Sequence, residues 1–394
     1  VNGGDGLRQK LALLLLISLF FFSPYVVQAA PNDQQVMQKQ LEALRVDEIQ
    51  QYWNDIVTKY GGFLPESQKG SLVEFLQGQK EWSLQDWLTG LLKFLIYELK
   101  ANVKLLGMLI LLTVFSMFLQ SLQTAFEQQA VSKVAYAVVY MVLIIIALNS
   151  FRLAMDYANE AIQTMTHFMI AMVPLLLALL ASSGGLISAA FFHPIILFLM
   201  NTTGVVVEYV TLPLLFLAAL LSIVSTMSEH YKVTQLADLF TKVALGTLGV
   251  ILTVFLGVMS VKGTTSAVAD GIALRTAKFV TGNFIPVVGK MFTDAADTVV
   301  TASMLLKNTV GIVGVAIIFI IAAFPALKIL VISFIYKLSA AVLQPLGGGP
   351  VISCLSIISK SIMYIFAALA IVSLMFFLSL TVIITAGNIA MMVR

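Results

Sequence analysis

LLGMLILLTVFSMFLQSLQTAF, from Leu105 to Phe126, carries no charged residue, and its reading decides the fold. At 1.5 Å per residue, a helix of this length crosses the roughly 30 Å hydrocarbon core of a bilayer. A helix also satisfies its backbone polar groups internally, which lipid demands. Similar charge-free runs recur at Val134–Phe151 and Val243–Val261. Phe168–Val207 is too long for one crossing. It reads as two helices turning near Phe192-His193-Pro194, the second running past Glu208 and Pro213 towards Met227. Asn308–Leu327 is another span. Lys328, Lys337 and the QPLGGGP stretch Gln344–Pro350 then interrupt the apolar pattern, and a final span lies between Val351 and Ala386. The expected fold is an all-α, polytopic helical membrane protein with about seven crossings, within a range of six to eight.

Composition supports that class. Hydrophobic residues make up 59% of the 394 and charged residues 11%, against about 25% charged in soluble domains. With a mean hydropathy of +0.97, a water-soluble globule is excluded. A net charge of +3 without a basic cluster argues against a nucleic-acid partner. A single cysteine, Cys354, excludes an internal disulfide framework and any multi-cysteine metal site.

Residues 1–30 read as a cleaved signal peptide. Arg8 and Lys10 flank the apolar run Leu11–Phe22, and small residues at Val27, Ala29 and Ala30 offer a cleavage site. Residues 31–102 are expected to form a small exported helical region, with seven basic residues against ten acidic ones between Ala30 and Lys100. Leu41, Leu44, Ile49, Trp53, Ile56 and Tyr60 make a rough helical stripe that Gly61-Gly62 and Pro65 end. A second helix is expected near Ser83, with Asp86 in its first turn, and runs into the first span. Trp82, Trp87 and Tyr97 suit the headgroup level. Membrane helices fill 103–261 and 308–394.

Between them, residues 262–307 form a polar island, VKGTTSAVADGIALRTAKFVTGNFIPVVGKMFTDAADTVVTAS in its core (Val261–Ser303). Gly271, Arg275, Lys278 and Gly282 share one helical face, with Val268, Ile272 and Phe279 on another. After Gly282-Asn283 and Pro286, a second stripe gathers Lys290, Asp294, Asp297 and Thr301. Two readings stand: interfacial helices joining two spans, or a partner-docking or pore-mouth surface built on Arg275, Lys278, Lys290, Asp294 and Asp297. With an exported N-terminal region, seven crossings place the island in the cytoplasm, where its five basic residues agree with the positive-inside rule.

Little else carries chemistry. His167, His193 and His230 lack the i, i+4 spacing of a helical metal site. Gly347, Gly348 and Gly349 lack the following Lys-Ser/Thr of a phosphate loop. Between Pro345 and Pro350 they read as a turn that lets helices approach closely. Ser182–Ser188 and Gly347–Ser353 are faintly alike, as in the broken-helix repeats of transporters, but the match is short and reads better as chance likeness between apolar sequences. Glu208 is the outstanding charge within an apolar stretch. It is read either as pore-lining polarity or as an interfacial residue at a helix break near Pro213. No catalytic group, cofactor or metal is expected.

VADGIALRTAKFVTGNFIPVVGKMFTDAADTV (Val268–Val299), LLKNTVGI (Leu305–Ile312), AAFPALKIL (Ala322–Leu330), AAVLQPLGGGP (Ala340–Pro350) and TAGNIAMMVR (Thr385–Arg394) resemble the stage III sporulation protein AE family of endospore-forming bacteria. The resemblance implies a multipass protein of the mother-cell membrane surrounding the forespore. It also implies a secretion-like channel complex linking mother cell and forespore, needed for late forespore gene expression. The implied partners are the other stage III sporulation A-operon proteins and, indirectly, stage II sporulation protein Q, besides membrane lipid. The rivals are a self-contained secondary transporter or permease, and a scaffold without a pore.

Overall fold

The computed structural model describes residues 47–65, 84–125, 130–227, 232–284, 288–346 and 349–392. The expected signal peptide at 1–30 lies outside them. Every regular element among the described residues is helical: α1 Asp47–Tyr60, α2 Leu84–Ala101, α3 Val103–Ala125, α4 Ala130–Ser182, α5 Leu186–Val206, α6 Leu212–Met227, α7 Thr234–Phe284, α8 Val288–Leu343 and α9 Pro350–Met392. A π turn at Val207–Thr211 joins α5 to α6, and a 3-10 turn at Gln344–Leu346 closes α8.

The helices form an elongated bundle with two distinct ends. At the proximal end, the Tyr140 hydroxyl of α4 bonds the Thr226 hydroxyl of α6 and donates to the Pro350 carbonyl of α9 at 3.4 Å. Gln120 of α3 approaches Gly349 there. At the distal end, α4 turns into α5, α7 meets α8, and Lys307 of α8 donates to the Ile384 carbonyl of α9 at 2.8 Å.

Two helices make the core. α4 buries Leu143, Ala147, Phe151, Ala154, Ala158, Met165, Phe168 and Met172, a spacing of three and four that keeps one seam inward. α9 does the same with Leu355, Ile358, Ile362, Ile365, Leu369, Val372, Phe376 and Leu380. Lipid supplies no hydrophobic drive between helices, so close packing and hydrogen bonds hold them. Ser333 and Ser359 bond reciprocally across α8 and α9, each hydroxyl donating to the other's carbonyl at 2.9 Å. Tyr336 of α8 donates to Ser150 of α4 at 2.9 Å. A Cβ on Gly311 would lie 2.4 Å from the Ile384 side chain, so glycine lets that side chain pack against α8 as it stands.

Among the described residues, six helices are long and apolar enough to cross a membrane, the lower bound of the expected range. The expected turn at Phe192-His193-Pro194 is not made. His193 and Pro194 lie inside α5, where a transmembrane helix tolerates proline. The chain turns instead at Gly184, whose φ is 93°. Gly184 donates to Ala181 at 3.0 Å and Gly185 to Leu180 at 2.9 Å, the paired bonds of a glycine-terminated helix. Val134–Phe151 and the run from Phe168 are therefore one helix, and the count falls from seven to six.

Candidate functional site

α4 has 53 residues, about 80 Å at 1.5 Å per residue, more than twice the hydrocarbon thickness. Its polar residues fall at mid-length, between the apolar stretches on either side. Glu160, Gln163 and His167 are exposed there, while Ala158, Ala161, Ile162 and Met165 of the same turns are buried in the core. The polar belt therefore faces outward, away from the bundle axis.

Glu208 joins this belt. Pro213 has no N–H to give the Tyr209 carbonyl, and its ring crowds that group. The helix relaxes into the π turn, in which Leu212 donates to the Val207 carbonyl. The turn presents Glu208 to α4, where Gln163 Nε2 donates to Glu208 Oε1 at 2.7 Å. A cavity of about 260 Å³ opens beside the pair, lined also by His167, Asn201 and Gly204. Glu208 is half-exposed at this helix irregularity and opens onto the cavity.

On the other side of His167, a second cavity of about 580 Å³ is roofed by α1. Lys59 of α1 pairs with Glu160 of α4. The Tyr60 ring stacks on Phe324 of α8 at 4.1 Å and 6°, and Phe94 of α2 packs edge-on against Phe324 at 4.7 Å. Burial, then the Glu160 and Glu98 carboxylates, push the Tyr60 phenol above its ordinary value, so it stays neutral. Lys328 of α8 reaches Glu98 of α2 at 3.8 Å and lies over the Tyr157 ring of α4 at 4.9 Å. The periodicity of α1 was legible, but its seat on α4 and α8 was not, because the contact depends on residues over a hundred positions away.

A further polar contact escaped the sequence reading. Asp270, buried on α7, accepts hydrogen bonds from Ile187 N–H at 2.7 Å and Ser188 N–H at 3.0 Å, capping the first turn of α5 from another helix. It stands in the island beside Gly271, and its only sequence signal was an acid among small residues.

The island's two helical stretches are extensions of spans. α7 runs unbroken past Lys262 to Phe284, and α8 runs from Val288 through Lys307. Arg275 is exposed on α7 and Asp297 half-buried on α8. The side chains of Lys278, Lys290 and Asp294 lie outside the described residues. Glu208 is held by Gln163 of α4. Pro345 is exposed in the 3-10 turn, Pro350 opens α9, and Gly347 and Gly348 are outside the described residues. A Cβ on Gly349 would make ordinary contact with Gln120 at 3.5 Å, so that glycine is not sterically required. No group of three or more His, Cys, Asp or Glu that could hold a metal occurs among the described residues.

An all-α bundle with six membrane-length apolar helices among the described residues defines a polytopic membrane protein. Its family follows from comparison with known proteins. The stage III sporulation protein AE family model matches residues 67–387, and the chain belongs to that family. It is 63% identical over 397 residues to the stage III sporulation protein AE of Bacillus subtilis (strain 168), an alignment covering 98% of this chain and all of the relative. No solved structure matches. The chain is thus a multipass membrane protein of sporulation.

Proposed function

We propose that the chain is the integral-membrane part of a sporulation-specific, secretion-like channel complex in the mother-cell membrane around the forespore. It works there without enzymatic activity. Its partners are the other stage III sporulation A-operon proteins and, through them, stage II sporulation protein Q. One observation carries this reading above the self-contained transporter. The bundle axis is filled by Ala147, Ala154, Ala158, Leu369 and Val372, while Glu160, Gln163, His167 and Glu208 look outward. A lone chain of this shape offers surfaces to partners, and a conduit would form between subunits.

The test pairs two measurements. Purified protein in proteoliposomes should show no substrate flux by itself. Crosslinkers placed at His167 and Arg275 in sporulating cells should capture other operon products. Glu160→Ala with Glu208→Ala, at normal protein level, should reduce that capture and block sporulation. Flux by the purified protein alone would favour the transporter, and intact capture in the variant would remove Glu160 and Glu208 from the docking surface.

A further inference from the structure

A groove of about 670 Å³ opens on the outer face of the bundle between α2, α8 and α9. Its volume falls within the range of small-molecule sites. Its walls are apolar, with Leu99 on α2, Leu330 and Phe334 on α8, and Met363 on α9. Its floor includes Ser333 and Ser359, whose hydroxyls are spent on each other's carbonyls. The groove therefore offers hydrocarbon contact along most of its length, with charge only at its rim.

That charge is positive. Lys337 and Lys360 line the groove and are exposed. Neither forms an ion pair among the described residues. Glu98, between Leu95 and Leu99 on α2, is already held by Lys328 at 3.8 Å. Lys360 lies over the Tyr364 ring at 5.9 Å, the outer limit of a cation–π contact, so its donors remain available. Both lysines stand on membrane-length helices, α8 and α9. An ammonium on such a face is costly unless its stem snorkels to a counter-charge.

We propose that this groove binds an anionic phospholipid, with Lys337 and Lys360 holding the headgroup phosphate and an acyl chain lying along Leu330, Phe334 and Met363. The occupant follows from charge complementarity and position. A lipid brings its own anion and its own hydrocarbon to a lateral face, satisfying both lysines and the apolar walls together. The site would tie α2, where the N-terminal region enters the bundle, to the α8–α9 pair.

The test uses the full chain in nanodiscs of phosphatidylcholine, with and without phosphatidylglycerol. Bound lipid is counted by native mass spectrometry, and stability is followed by thermal unfolding. Wild type should retain phosphatidylglycerol and melt higher in its presence. Lys337→Gln with Lys360→Gln should bind it roughly 10- to 30-fold more weakly, while Lys337→Arg with Lys360→Arg should keep it. Met363→Trp, which fills the groove and leaves both lysines, should lose the lipid while folding in phosphatidylcholine. Should the glutamine variant not fold, the tryptophan variant decides. Equal phosphatidylglycerol binding by wild type and both variants would overturn the proposal. So would equal stabilisation by inorganic phosphate, or lysine-dependent dimerisation in pure phosphatidylcholine.

Discussion

Asp270 and Ser188 lie 82 positions apart, yet the Asp270 carboxylate accepts the Ser188 N–H at 3.0 Å while its other oxygen takes the Ile187 N–H. This contact fixes the distal hairpin of α4 and α5 against α7. A helix start leaves its first N–H groups without intrahelical partners, and a buried start needs an acceptor from elsewhere. Asp270 is 1% exposed, so water cannot replace it.

Asp270→Ala should therefore leave the buried Ser188 N–H unmatched, at a cost of about 1–3 kcal/mol, with a smaller loss at the more exposed Ile187 N–H. Asp270→Asn keeps one acceptor oxygen and turns an amide towards the second N–H, and should fall between. Thermal unfolding in detergent reads the order wild type, Asn, Ala. An alanine variant as stable as wild type would show that the cap contributes nothing.

Tyr60 gives a pH-dependent expectation with a definite sign. Its folded-state pKa is raised above the ordinary 10.0, so the folded protein holds the phenolic proton more tightly than the unfolded chain. The stabilisation from the seated neutral phenol is full below pH 10.0 and is lost as pH rises above it. Alkaline titration should loosen α1 and expose Trp53, which is 2% exposed when seated. Iodide quenching of tryptophan fluorescence follows the release. Tyr60→Phe should shift its onset to higher pH. An unchanged onset would remove the phenol from the cause.

The span count carries a topological consequence. Among the described residues, four membrane-length helices lie between the N-terminal helical region and the island. An exported region at 31–102 and a cytoplasmic island at 262–307 cannot both hold if each of these helices crosses once. Cys354 is the sole cysteine and is buried, so single cysteines can report sidedness. Gly62→Cys and Phe279→Cys, both at exposed positions, should react with an impermeant maleimide from the same side. Pro345→Cys, at the proximal turn, should react from the opposite side. Labelling of Gly62→Cys and Phe279→Cys from opposite sides would restore an odd number of crossings.

What the sequence made legible was local. Charge-free runs marked the membrane-embedded stretches, because lipid imposes composition over some twenty consecutive residues, but they split α4 into two spans. The stop of α1 at Tyr60 followed from Gly61-Gly62, and the irregularity near Glu208 followed from Pro213. The turn lies at Gly184 and not at the expected Phe192-His193-Pro194. Proline inside a transmembrane helix costs less than its soluble reputation, whereas a left-handed backbone at a helix end calls for glycine. The belt stayed hidden for another reason. Lys59, Glu160, Gln163 and Glu208 are each ordinary polar residues in sequence, and they become a site only when α1, α4 and the π turn are brought side by side.

Gly311 tests the core at its closest point. A methyl there would lie 2.4 Å from Ile384 Cγ1 and 2.5 Å from its Cδ1, but 3.7 Å from its Cβ. Gly311→Ala should therefore force the Ile384 side chain to turn or α9 to move from α8, and overpacking of this kind costs about 1–3 kcal/mol. Ile384→Ala removes both offending carbons and leaves a cavity, which is destabilising alone. Combined, the two substitutions should be milder than the sum of their separate effects, since the new methyl enters the space the old side chain vacates. Lys307 donates to the Ile384 carbonyl at this contact, so separation of the helices should break that bond as well. Unfolding midpoints of the two single variants and the double variant supply the coupling. Strict additivity would mean that α8 and α9 do not meet at Gly311 and Ile384.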